Sequence, residues 1–254
     1  MKTIKKQTLY ITLFMLLAVS IGACKKIEEE EPKETFGQLE LEFDHVWGLN
    51  NQPFYLNQTY VHPMSEDTME LTMLKYYISN VVLYKTDGST YEVPDSYYLI
   101  DPEENTISIN NVPSGDYTRV DFILGVDSAR NNSGLQTGAL NPSNGMFWSW
   151  STGYIFIRVE GKSPQSSTGM FMFHLGGYEE PFNAINQKQL PIENDVLNIT
   201  PNAKPVLHLN VNVAKLWHGP IELSKLNLIH NIGDTAVIMA NNFSDGISID
   251  HIHK

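Results

Sequence analysis

The chain has 254 residues, with 17 Lys plus Arg against 29 Asp plus Glu, a formal charge of −12 and one cysteine. That balance argues against a nucleic-acid groove, which needs a clustered basic surface. A lone cysteine excludes an internal disulfide framework and any site of two or more thiolates.

The first segment reads as a secretory signal. Lys2, Lys5 and Lys6 form a positive start, and Leu9 to Ile21 form an apolar run too short for a comfortable membrane span. It ends in Ile21-Gly22-Ala23-Cys24, the pattern of a bacterial lipobox whose cysteine is lipidated. Residues 1–23 are therefore expected to be removed, leaving 14 Lys plus Arg against 29 Asp plus Glu, or −15. Residues 24–36 follow as an acidic, solvated tether with little to pack. Cys24-Lys25-Lys26 before an acidic run also resembles the export signal of Bacteroidetes surface lipoproteins. The expectation is an outer-membrane lipoprotein held through Cys24, on the cell surface or the periplasmic face.

From residue 37 to 254 there is no linker-like stretch and no repeat, which predicts one domain. Its segments alternate with period two, the mark of half-buried strands. Leu39, Leu41 and Phe43 oppose Glu40, Glu42 and Asp44. Val120, Phe122, Leu124 and Val126 make a second row, and Leu207, Leu209, Val211 and Val213 a third. Further strands are expected at 73–84, 90–93, 97–101, 106–110, 154–159, 170–175 and 195–199. Asp87-Gly88 is a hairpin signal, and Pro113-Ser114-Gly115-Asp116 a second turn. The fold class expected is all-β, an antiparallel β-sandwich with long functional loops at 127–147 and 176–194.

Catalytic motifs are absent: there is no Gly-X-Ser-X-Gly, P-loop, His-Glu-X-X-His or Gly-X-Gly-X-X-Gly. A binding protein is expected rather than an enzyme. His45 continues the inward row of the first strand, as a core histidine with a satisfied hydrogen bond or as a ligand. Met170, Met172 and His174 share one strand face, a thioether and imidazole set that suits copper or a core filled by methionines. Trp148 and Trp150 share a face beside the first long loop, as a stacking platform or as a plug between sheets. His251 and His253 also share a face, at a position that reads as a frayed strand end.

Several stretches, taken together, resemble the copper-binding MbnP-like family. They are Leu74-Lys75-Tyr76-Tyr77-Ile78-Ser79-Asn80, Tyr98-Leu99-Ile100-Asp101, Val112-Pro113-Ser114-Gly115-Asp116-Tyr117 and Phe122-Ile123-Leu124-Gly125-Val126-Asp127. Leu140-Asn141-Pro142 with Gly145-Met146-Phe147-Trp148-Ser149-Trp150, and Phe173-His174-Leu175-Gly176-Gly177, complete the series. The resemblance covers about residues 37–240. It implies a secreted β-sandwich that binds copper through two histidines and a tryptophan oxidised to kynurenine by a di-haem partner of the MbnH type. Carried onto this chain, it implies His174 and His45 as metal ligands, and Trp148, Trp150 or the nearby Trp47 as the modified or pocket aromatic. Asn131-Asn132 stands where copper-handling relatives carry Asn-His, and an amide is a poor copper ligand. The alternative reading is a surface carbohydrate-binding or adhesion lipoprotein with no metal.

Overall fold

In the computed structural model, residues 33–148, 153–219 and 221–254 are described. The expected signal segment, Cys24 as the expected lipidation site, and Trp150 lie outside the described residues. In chain order the strands are β1 (Phe36–Trp47), β2 (Gln52–Pro53), β3 (Thr59–Val61), β4 (Thr68–Lys85), β5 (Thr90–Glu92), β6 (Tyr97–Ile100), β7 (Thr106–Pro113) and β8 (Gly115–Leu124). After helix α1 (Ser128–Asn131) come β9 (Phe147–Trp148), β10 (Gly153–Tyr154), β11 (Ile157–Lys162), β12 (Met170–Leu175), β13 (Asn186–Pro191), β14 (Leu197–Ile199) and β15 (Val206–Asn212). β16 (Leu228–Ile229), helix α2 (Asp234–Asp245) and β17 (Ile247–His253) follow. No helix among the described residues is long and apolar enough to cross a membrane.

The strands form two main sheets. In the first, β17 pairs with β15 and β15 with β1, while β7 and β2 share the other edge of β1. In the second the order is β13-β8-β4-β11-β12-β16, with β14 also on β8 and β3, β5 and β6 also on β4. The expected sandwich is present, and most pairs are antiparallel. Two are parallel: β1 with β15 and β12 with β16.

Alternation explains which faces meet. Leu39, Leu41 and Phe43 are fully buried, while Glu40, Glu42 and Asp44 stay partly exposed. Phe43 meets Tyr76 of β4 and Phe122 of β8 edge-on, each with centroids 6.2 Å apart, which joins the two sheets. Helix α2 adds Ala236, Met239, Ala240 and Phe243, spaced for one helical face, and Phe243 packs 5.1 Å from Tyr76.

The two turns read from sequence have different jobs. Asp87-Gly88 closes the β4–β5 hairpin, with Gly88 at φ 86° and Lys85 N–H bonded to Ser89 O at 2.9 Å. Pro113 to Asp116 instead carries the chain from one sheet to the other, because β7 pairs with β1 and β8 with β4. The Tyr117 hydroxyl donates to Pro113 O at 2.6 Å and holds that corner. The second long loop is interrupted by β13, which pairs with β8. Residues 251 and 253 are not frayed; they sit in β17, paired to β15.

Gly161 marks an irregularity in the β11–β4 register. A Cβ there would collide with Glu70 O and stand 2.5 Å from the Phe171 ring. Gly161→Ala should cost about 1–3 kcal/mol through this overpacking. Urea denaturation reads it directly, and an unchanged midpoint would contradict the close approach.

Candidate metal centre

His45 lies at the inward end of β1 and is 8% exposed. Its Nε2 is 3.1 Å from the Tyr76 hydroxyl, and the rings meet edge-on at 5.8 Å. Burial pushes the imidazole down to about 4, against a weaker upward pull from Asp101. The same burial pushes the Tyr76 phenol well up, so both groups stay neutral around pH 7. This is the satisfied core histidine of the two readings open in the sequence.

Trp47, two residues on, is also core. Its indole N–H donates to Val61 O at 3.1 Å, and its ring packs among Phe54, Tyr60, His62 and Trp217. His62 is 2% exposed and held at both nitrogens, by Ser65 Oγ and Ala214 O, each at 3.1 Å. Burial lowers its pKa.

His174 faces the other way. Tyr76, Ile157 and Leu175 align across β4, β11 and β12 and are buried. The adjacent row, Lys75, Arg158 and His174, therefore points to the outer face. His45 touches the inner face of this sheet and His174 stands on its outer face. One ion cannot take both, which corrects the His45–His174 pairing. Met170 and Met172 do share the His174 face, at 58% and 37% exposure, so they are surface thioethers and not core filler.

A second histidine, His230, follows directly on β16. β16 runs parallel to β12 with Met172 opposite Leu228 and Phe173 opposite Ile229. The pairing ends there, and His174 and His230 are the residues that follow it on the two segments. His230 adds the weakest of the influences that lower the His174 pKa, after burial and Arg158. Sequence offered no sign of this pairing, because β16 is two residues long and its partner lies more than fifty residues upstream.

A carboxylate orients His174. Its Nε2 lies 2.8 Å from Glu160 Oε1, and the same carboxylate takes Arg158 Nε at 2.7 Å. Arg158 Nη1 donates to Gly145 O at 2.8 Å, anchoring the group to the first long loop. Burial raises Glu160, but the bonds from His174 and Arg158 outweigh it and hold it below its ordinary value. Burial, helped by the nearby Arg158, outweighs the pull of Glu160 and lowers His174. A neutral His174 that donates Nε2–H to an ionised Glu160 carries its lone pair on Nδ1, free to ligate.

The glycines after His174 shape its surroundings. A Cβ on Gly176 would stand 2.9 Å from Trp148 Cζ3 and 2.6 Å from Tyr154 O. Gly177 sits at φ 123°, and a Cβ there would collide with Phe182 O. Trp148 is thus brought against the turn after His174, at 5% exposure. With Tyr154, Gly177, Tyr178 and Ile232 it lines a cavity of about 150 Å³. Asn131 ties α1 to this region, donating to Val126 O at 2.8 Å and accepting from Tyr154 N–H at 3.0 Å. Asn132 accepts from the Tyr178 hydroxyl at 3.3 Å, so the amide serves the loop.

The MbnP family model matches residues 36–235, and the chain belongs to the MbnP family. The fold is similar to that of MbnP from Methylosinus trichosporium, with a TM-score of 0.51 and 13% identity over 79% of this chain and 83% of that chain. No curated protein matches the chain.

The buried His45 makes stability depend on pH. Its folded pKa, about 4, is below the ordinary value of 6.5, so the unfolded chain takes up a proton first. Its contribution is therefore complete above about pH 6.5 and is lost as pH falls toward 4, by roughly 3 kcal/mol. Urea midpoints at pH 7 and pH 4.5 should differ less in His45→Gln than in wild type. Equal differences would remove His45 as the source.

Proposed function

We propose that this MbnP-family protein is a lipid-anchored, extracytoplasmic copper binder whose ion is held by His174 and His230. One observation supports the reading: Glu160 occupies Nε2 of His174 and leaves Nδ1 free, and His230 is the residue that follows β16 where it pairs with β12. A carboxylate behind a ligating histidine fixes its tautomer and raises its basicity. Two imidazoles suit copper, and Met172 brings a thioether to the same face. His45 is a structural residue in this reading.

Cys24 is the proposed lipid attachment, and the acidic tether would let the domain stand off the membrane. The chain's work is to hold the metal rather than to turn over a substrate. A di-haem partner of the MbnH type, acting on a tryptophan beside the ion, is the interaction the family resemblance implies. Trp148 packs against Gly176, two residues after His174. The sugar-stacking alternative loses this residue, because a ring 5% exposed offers no face to a glycan.

Copper titration followed by metal analysis tests the site. His174→Ala and His230→Ala should each lose most of the bound copper, and Glu160→Gln should weaken binding about 10- to 100-fold. Wild-type copper content in either alanine variant would overturn the ligand assignment.

A further inference from the structure

The outer face of the other sheet carries an independent cluster. The parallel register sets Glu42 of β1 opposite His208 of β15, and Asp44 opposite Asn210. Residues 41, 43 and 45 point into the core, so 42 and 44 point outward on the same side. His208 Nδ1 lies 2.8 Å from Asp44 Oδ2 and 3.9 Å from Glu42 Oε2. One ligand atom from each of the three lies within 4.8 Å of the other two.

We propose that Glu42, Asp44 and His208 form a second metal site, separate from His174 and His230, that takes a divalent cation of the zinc class. The donor set decides the class. Two carboxylate oxygens and one imidazole nitrogen match the three-ligand shells that hold zinc with a position left open for water. The set has no sulfur donor, which a soft cuprous ion favours.

Charge points the same way. Neighbouring acids are neutralised by lysines: Glu40 by Lys204 at 2.6 Å and Asp195 by Lys254 at 2.8 Å. Among the described residues, no Lys or Arg forms an ion pair with Glu42 or Asp44. Their partner is the His208 imidazole, a ligating group in place of an ammonium.

The site is also braced. The His251 ring of β17 lies parallel to that of His208, with centroids 4.3 Å apart and planes 6° apart. His251 Nδ1 is 2.7 Å from Asp250 Oδ2, and Asp250 Oδ1 accepts from Asn210 Nδ2 at 3.0 Å. This chain of contacts fixes the His208 plane from one side before any ion arrives, lowering the ordering cost of binding. His253, with its ring 6.4 Å from that of His208, adds a further imidazole to the same face.

Zinc chloride titrated into the full-length chain by calorimetry tests the proposal. Wild type and His174→Ala should bind zinc at this site with equal affinity. Asp44→Asn and His208→Gln should each weaken that binding at least tenfold while keeping the wild-type circular dichroism spectrum. Glu42→Gln, at a more exposed position, serves as the milder variant if His208→Gln disturbs the fold, and should weaken zinc in the same direction. Unchanged zinc affinity in Asp44→Asn and Glu42→Gln, absence of zinc binding in wild type, or its loss in His174→Ala would each overturn the assignment.

Discussion

The contact of Phe43 and His45 with Tyr76 sets the phase of both sheets. A strand has two faces, and burying residues 43 and 45 of β1 commits 42 and 44 to solvent. Burying Tyr76 of β4 likewise commits Lys75 outward, and the register passes that choice to Arg158 and His174. The outward placement of both polar clusters is thus a consequence of one inner contact. A one-residue slip in either strand would send the ligands into the core and the aromatic residues into water. The buried His45–Tyr76 hydrogen bond adds directionality to that phase, since an apolar pair could slide where a hydrogen-bonded pair could not.

The two faces differ in chemistry because their neighbours differ. At His174 the carboxylate of Glu160 is already shared with Arg158. It orients the imidazole and contributes little net charge, so in the proposed copper site the imidazoles and the nearby thioether are the donors that favour a softer ion. At His208, no Lys or Arg among the described residues pairs with the two carboxylates, and in the proposed second site they favour a harder ion. The contrast between the two proposals rests on where Arg158 is placed.

The strands were largely legible in the sequence because alternation is a local property. The rows through Leu41, Phe122 and Leu209 appear as β1, β8 and β15, and Asp87-Gly88 turns as its residue types require. The pairings were not legible. Glu42 and His208 lie 166 positions apart and meet through a parallel register that no hairpin announces. His230 follows a two-residue strand too short to show any period. Helix α2 did carry a helical signal, with apolar residues at 236, 239, 240 and 243, but it sits between strands in a chain otherwise of period two. The Met170, Met172 and His174 face was correctly grouped, and its direction, outward, depended on which side of β12 the core would take.

The acidity of the chain acquires a place through these pairings. The tether holds three Lys and five Glu, so most of the net negative charge belongs to the folded domain. A net charge by itself keeps a domain soluble and draws cations to the whole surface. It becomes local where carboxylates are brought together by strand register and their partner is an imidazole instead of an ammonium. Lys204 beside Glu40 shows the contrast within one strand: two residues before Glu42, the same residue type on the same face is closed by a lysine. In the proposed second site, specificity is therefore a matter of which acids lack a lysine, and β15 sets it by presenting His208 opposite Glu42.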